Sequence, residues 1–163
     1  MKQFNVEIGE TVKLSKTVSE GDVYGFAGIT GDFSGNHVNA EHMKRSRYGQ
    51  RIAHGALVVG FMSTASTLMF TRYVEKYVSQ GVTPASLGYD RVRFLGPVFF
   101  GDTITVTYTI KSLDPENDRS RSDISVTNQR GELVAVAEHI MKWVKIKPTA
   151  AVGDRSNHAK KAA

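Results

Sequence analysis

The sequence predicts an α+β fold in which one curved antiparallel sheet wraps a long central helix. Two observations carry most of this. Gly55 opens seventeen residues without a charge, GALVVGFMSTASTLMFT, enough for about 25 Å of helix at the usual rise. After Pro84 the pattern turns to strands, SLGYDRVRF, TITVTYTIKSL, RSDISVTNQ and ELVAVAEHIMKWVKI, separated by Gly-Pro, Gly-Asp, Pro-Glu-Asn-Asp and Arg-Gly turn signals. A strand region, a helix, an irregular segment, a long helix and four strands in succession make an α+β plan.

Each element has a local reason. Phe4 to Val18 alternates loosely through Val6, Ile8, Val12 and Leu14 around the Gly9-Glu10 turn signal, which predicts one or two short strands. Ser19, followed by Glu20 and Asp22, has the composition of a helix N-terminus, where a hydroxyl caps exposed N–H groups and acidic side chains are favoured. Val23, Phe26, Ala27 and Ile29 then mark an apolar face, and Gly31 ends that helix. AEHMKRSRY, from Ala40 to Tyr48, predicts a short charged helix stopped by Gly49. The run from Gly55 is apolar or small nearly all round, so burial on most faces is expected, with a more polar continuation through Arg72 to about Ser79 before Gly81 and Pro84 break it. A membrane span needs about 20 predominantly apolar residues, and this run is shorter and interrupted by Ser, Thr and Gly, so no span is expected. The sequence from Pro148 onward lacks apolar periodicity; residues 1–148 are therefore expected to form a single domain and 149–163 a flexible tail.

Composition bounds the function. A chain of 163 residues, 40% hydrophobic and 23% charged, suits one folded unit with a sizeable core. The absence of cysteine excludes disulfides and thiolate metal sites, and suits a reducing compartment. The N-terminus, MKQFNVEIGE, has no charged segment followed by an apolar one, so a cytoplasmic location is expected. The net charge of +5 is spread along the chain and partly held in RSNHAKK. That distribution reads as a generally basic surface rather than a nucleic-acid groove, a surface that would also attract an anionic small molecule, and charge alone does not choose between the two partners. No G-x-G-x-x-G, Walker sequence or G-x-S-x-G elbow occurs.

The unusual chemistry is concentrated between Ile29 and Gly55. Asp32 and His37 lie five residues apart across Ser34-Gly35-Asn36, a composition that favours a turn able to bring the two side chains together. His37, His42, His54 and Glu41 repeat no recognised metal-ligand spacing, so no metal site is expected. Arg45, Arg47 and Arg51 read better as a solvated flap than as contacts to phosphates.

FAGITGDFSGNHVNAEHMKRSRYGQRIAHGALVVGF, together with RVRFLGPVFFGDTITV, resembles the MaoC-like dehydratases and the (R)-specific enoyl-CoA hydratases over roughly Val6 to Ile146. The chain keeps Gly31, Asp32 and His37 and the Ala53-His54-Gly55 triplet, but has Ser34 and Gly35 where family members usually carry Asn and Pro. The resemblance implies the hot-dog fold and the interconversion of a trans-2-enoyl thioester and a (3R)-3-hydroxyacyl thioester, with acyl-CoA as substrate, no metal and no redox cofactor. It implies Asp32 as the main base and His37 as its partner in holding water and moving protons. It selects Gly55 as the backbone donor for the thioester oxygen, and Ser63 as support for Asp32 or the water. His54 is expected to be structural or capping. A homodimer is expected, because hot-dog proteins commonly join two sheets and so hide an edge strand. A hot-dog thioesterase and a non-catalytic acyl-CoA-binding module are the alternatives.

Overall fold

The computed structural model describes residues 4–147, so the expected domain boundary at 148 and the tail beyond it lie outside the described residues. In chain order the elements are β1 (Thr11–Thr17), α1 (Glu20–Thr30), α2 (Gly35–Val38), α3 (Ala40–Lys44), α4 (Gly55–Thr71), α5 (Val74–Ser79), β2 (Val82–Phe94), β3 (Thr103–Asp114), β4 (Arg119–Thr127) and β5 (Leu133–Lys145). The five strands form one sheet in the order β1-β3-β4-β5-β2, antiparallel throughout. Alternation decides which face is inward: Ile104, Val106, Tyr108 and Ile110 of β3 are buried, while Thr103, Thr105 and Thr109 face the other side and pair by hydroxyl with Thr17, Ser15 and Thr11 of β1.

Helix α4 packs on the inner face through Val58, Met62, Ala65, Ser66, Met69 and Phe70, a set at i, i+3, i+4 spacing. The expected burial on most faces is corrected here. Ala56, Gly60, Ser63, Thr64, Thr67 and Leu68 are exposed, because a five-stranded sheet covers only one side of the helix. Helix α1 ends as expected: Ser19 and Asp22 form a reciprocal capping box, and Gly31 takes the left-handed conformation (φ 79°) that stops it.

Three boundaries differ from the sequence reading, and the N-terminal one falls within it. The N-terminal region supplies one strand, β1, with Gly9 turning the chain into it. Helix α3 ends at Lys44. The long helix does not run on to Ser79; it breaks at Arg72-Tyr73, and the separate α5 places Tyr73 and Tyr77 so that their hydroxyls donate to Glu10 Oε1 (2.8 Å) and the Phe4 carbonyl (2.9 Å). Strand β2 starts before Pro84, which is tolerated because β2 is an edge strand and pairs only with β5.

The core contains a histidine with a partner on each ring nitrogen. His139 on β5 is fully buried, its ring hydrogen-bonded to the Tyr108 hydroxyl (2.9 Å) and the Ser86 hydroxyl (2.8 Å) and stacked on Tyr89 at 4.3 Å. Burial pushes its pKa down to about 4, which keeps the ring neutral.

Candidate active site

The chain from Gly31 to Gly55 leaves the end of α1, makes two single-turn helices and returns to the start of α4. Its geometry is set by local hydrogen bonds. The Asp32 carboxylate accepts from the Ser34 N–H (3.2 Å), and His37 and Val38 N–H groups reach back to the Ser34 carbonyl, so five residues that would diverge on a long helix fold onto one site. The returning segment is pinned on both sides, Ile52 N–H to the Asn36 carbonyl (3.1 Å) and Ala53 N–H to the Val98 carbonyl (2.8 Å).

Two imidazoles result, each with its tautomer set by a carbonyl that can only accept. His37 Nδ1–H donates to the Ile52 carbonyl (2.7 Å), which leaves Nε2 as a bare lone pair. His54 Nε2–H donates to the Asp32 carbonyl (2.9 Å), and its ring lies 3.6 Å from that of His37 in a stacked arrangement, with Phe26 4.9 Å away. His54 is 2% exposed and its Nδ1 is buried without a hydrogen-bond partner. A buried acceptor left unpaired costs about 1–3 kcal/mol. His54 therefore occupies the N-cap position of α4 without capping it by side chain; instead it fixes the Asp32 backbone and forms a platform under His37.

Asp32, His37 and His54 each bring one polar side-chain atom to within 4.8 Å of the others. This trio differs from the His37, His42, His54 and Glu41 set weighed by spacing, because the fold turns His42 into α3. The geometry is that of potential metal ligands, yet the His54 Nε2 proton is given to the Asp32 carbonyl and the lone pair of that ring sits on its buried Nδ1, so Asp32 and His37 Nε2 are the acceptors left less buried in the trio. The Asp32 side chain is half exposed and His37 half-buried.

Gly55 is the first residue of α4, and a Cβ built there would sit 2.5 Å from the Phe94 ring, so only glycine fits without moving that ring. Next to it opens a cavity of about 250 Å³ whose lining includes His37, Tyr48, Gly55, Val58 and Phe94. Ser63 lies eight residues along α4, about 12 Å from Gly55 by helical rise. Its carbonyl accepts from the Ser66 and Thr67 hydroxyls, and its own hydroxyl faces the Tyr89 phenol without closing a hydrogen bond of ordinary geometry. The structure thus brings Asp32, His37 and Gly55 into one neighbourhood, and Ser63 is not among the residues that line the cavity beside Gly55. Sequence reasoning missed His54 as a member of the cluster and Tyr48 and Phe94 as walls of the cavity. The Ala-His-Gly triplet was the signal available for His54.

Arg51 is no part of a solvated flap. It is tied to Glu20 (2.7 Å) and the Tyr24 hydroxyl (3.1 Å) and packs over Phe100.

The sequence pattern of the MaoC-like domain matches residues 3–134. The chain is 35% identical over 112 residues to an (R)-specific enoyl-CoA hydratase of Rhodospirillum rubrum, covering 69% of this chain and 71% of that protein. It is 33% identical over 117 residues to a 3-hydroxybutyryl-CoA dehydratase of Methylorubrum extorquens, covering 72% and 68%. Among solved structures, an (R)-hydratase from Aeromonas caviae superposes with a TM-score of 0.71 over 86% of this chain and 98% of that one; at 23% identity this bears on the fold, which is the hot-dog fold. With the pattern matched over most of its length, the chain belongs to the MaoC-like domain family.

Proposed function

We propose that the chain is a hydratase/dehydratase that interconverts a trans-2-enoyl-CoA and a (3R)-3-hydroxyacyl-CoA. The observation that carries this reading is the convergence of the Asp32 carboxylate and the bare Nε2 of His37 beside the first residue of a seventeen-residue helix. A water held between the two donates one hydrogen to each. Asp32 removes a proton as the oxygen adds to C3, His37 orients the water and shares the proton transfer, and the α-carbon gains a proton to complete the addition. The thioester oxygen, enolate-like in the transition state, accepts from the Gly55 N–H, where the exposed amides and dipole of α4 favour negative charge. The relatives named hydratase and dehydratase support this reaction class.

The working unit in this reading is a homodimer. Strand β2 is a thirteen-residue edge with one side unpaired, Asp32 is 53% exposed in the single chain, and one face of α4 stays open. Among the described residues no helix is long and apolar enough to cross a membrane, and a chain without cysteine suits the cytoplasm.

The test is spectrophotometric. Trans-2-enoyl-CoAs of graded length are offered to the protein while enoyl absorbance and free thiol are followed together. Loss of enoyl absorbance without thiol release is expected. Thiol release would assign hydrolysis instead, and binding without turnover would leave an acyl-CoA-binding module.

A further inference from the structure

Asp32, His37 and His54 make a donor set with a second use. Their ligand-type atoms lie within 4.8 Å of one another, and two imidazoles with one carboxylate are a set that zinc accepts in a tetrahedron, with water in the fourth place. Two of the three are already held as ligands are. Asp32 Oδ1 is anchored by the Ser34 N–H (3.2 Å), while Oδ2 lies 3.9 Å from His54 Nε2. His37 gives its Nδ1–H to the Ile52 carbonyl (2.7 Å), the outer contact that commonly orients a metal-binding imidazole. Tetrahedral bonds of about 2.0–2.2 Å place donors about 3.4 Å apart, so the trio has to close by no more than about 1.4 Å. The Asp32 side chain, 53% exposed, is free to turn by that amount.

The third donor is His54. Its Nε2–H donates to the Asp32 carbonyl (2.9 Å), and its buried Nδ1 has no hydrogen-bond partner. To bind a metal through Nε2, the ring moves its proton to Nδ1. That shift exchanges an unpaired buried lone pair for an unpaired buried N–H, so its net cost is close to one hydrogen bond to a carbonyl, against which stands a third bond to the metal. A ring whose Nδ1 already accepted a hydrogen bond would lose two contacts instead of one. Magnesium and calcium, which prefer oxygen donors, are poorly served by two imidazoles. We propose that Asp32, His37 and His54 bind one zinc ion per chain, and that the ion is a reversible inhibitor. It occupies the carboxylate oxygen and the imidazole lone pair that otherwise hold the water of the hydration. The binding stands on the geometry alone; the inhibition rests on the hydratase reading above.

The experiment titrates zinc chloride calorimetrically into the untagged, metal-free full chain, with magnesium chloride as the comparison cation. One zinc per chain is expected. Asp32→Asn, His37→Ala and His54→Phe should each weaken it at least about 10-fold, and a His42→Ala/His158→Ala double variant, whose histidines lie outside the trio, should not change it. Circular dichroism shows which variants are folded. Nitrogen NMR of isotopically labelled histidines reads the proton shift in the parent itself, independent of any substitution. On zinc saturation His54 changes from Nε2–H to Nδ1–H, and His37 keeps Nδ1–H. Turnover of a trans-2-enoyl-CoA falls in step with calorimetric saturation and returns on addition of a chelator. Zinc held equally by the parent and the three trio variants, or lost in the double variant, would be an adventitious ion only and would overturn the site. Magnesium bound as tightly as zinc, or a His54 that keeps Nε2–H in the zinc-saturated protein, would overturn it as well. Turnover unchanged or raised by bound zinc would overturn the inhibition. A chain that turns over no enoyl thioester with or without zinc refutes the hydratase reading separately, and calorimetry and NMR then decide the zinc site by the same criteria.

Discussion

At the scale of single residues, the site is a problem of holding two proton acceptors against one water. His37 is ready because its other ring nitrogen is already spent on the Ile52 carbonyl, and Asp32 is placed because its backbone carbonyl is held by His54 and its carboxylate by the Ser34 amide. Asp32→Asn keeps the size and the acceptor for the Ser34 N–H but loses the base, so turnover should fall by roughly 10²–10⁴-fold while thioester binding largely persists. His37→Ala should cost a similar factor. The double variant should lose much less than the product of the two, because both groups serve the same water. Steady-state kinetics of the three variants, with circular dichroism to show that each is folded, checks this; full activity in either single variant would remove the chemical basis of the hydratase assignment. That Asp32 and His37 could meet was legible because a turn composition announces itself locally, whereas their roles rest on the resemblance carried by Gly31, Asp32 and His37. His54 was not, since whether the residue before a helix caps it or turns under a neighbouring ring depends on contacts made 17 and 22 residues back in the chain, at His37 and Asp32.

At the scale of elements, the departures from the family pattern at Ser34 and Gly35 fall at the start of α2, and the structure turns them into a stability prediction. Gly35 is the first helical residue, a position where proline's missing N–H and fixed φ are favoured, and Ser34 before it is extended at φ −53° and ψ 141°, a conformation proline accepts in its neighbour. A Cβ at Gly35 would lie 3.4 Å from the His42 ring, at the edge of ordinary contact. Gly35→Pro should therefore stabilise the folded chain by about 0.4–1 kcal/mol by restricting the unfolded one. Thermal or urea unfolding reads the change, and a lower midpoint would show that the His42 contact outweighs it. The elements most legible in the sequence were those whose ends carry their own chemistry, such as α1 between the Ser19–Asp22 box and Gly31, and α4 opening at Gly55. The break at Arg72-Tyr73 was not, because no Gly or Pro stands there; it is made by tertiary bonds from Tyr73 and Tyr77 to residues near the N-terminus.

For the molecule as a whole, two properties follow from what the single chain buries and what it leaves open. His139, buried between Tyr108 and Ser86, stays neutral down to about pH 4, whereas the unfolded chain takes up a proton near the ordinary histidine value of 6.5. Its folded pKa is depressed, so its contribution is fully present above about pH 6.5 and is lost as the pH falls from there toward about 4; the total is on the order of 3 kcal/mol. Urea unfolding at pH 7 and pH 5 should show this loss in the parent and a smaller one in His139→Gln, which retains hydrogen-bonding groups but does not titrate; equal losses would remove His139 from the account. What the chain leaves open points to a second copy. The edge strand β2 carries Leu87 at 50% and Phe94 at 55% exposure, and Leu68 stands at 41% on the uncovered face of α4. An unpaired thirteen-residue edge beside apolar side chains is a surface that a soluble protein normally covers, and covering it with an identical edge would also screen the half-exposed Asp32 from solvent, where proton transfer is best controlled. Light scattering at micromolar concentration should therefore give twice the chain mass. Leu87→Glu places a charge at a position already exposed in the single chain, so it should change folding stability by less than about 0.5 kcal/mol while shifting the protein toward monomer and lowering turnover in parallel. A parent that is monomeric in solution, or a monomeric Leu87→Glu variant with undiminished turnover, would mean that one chain holds the complete site.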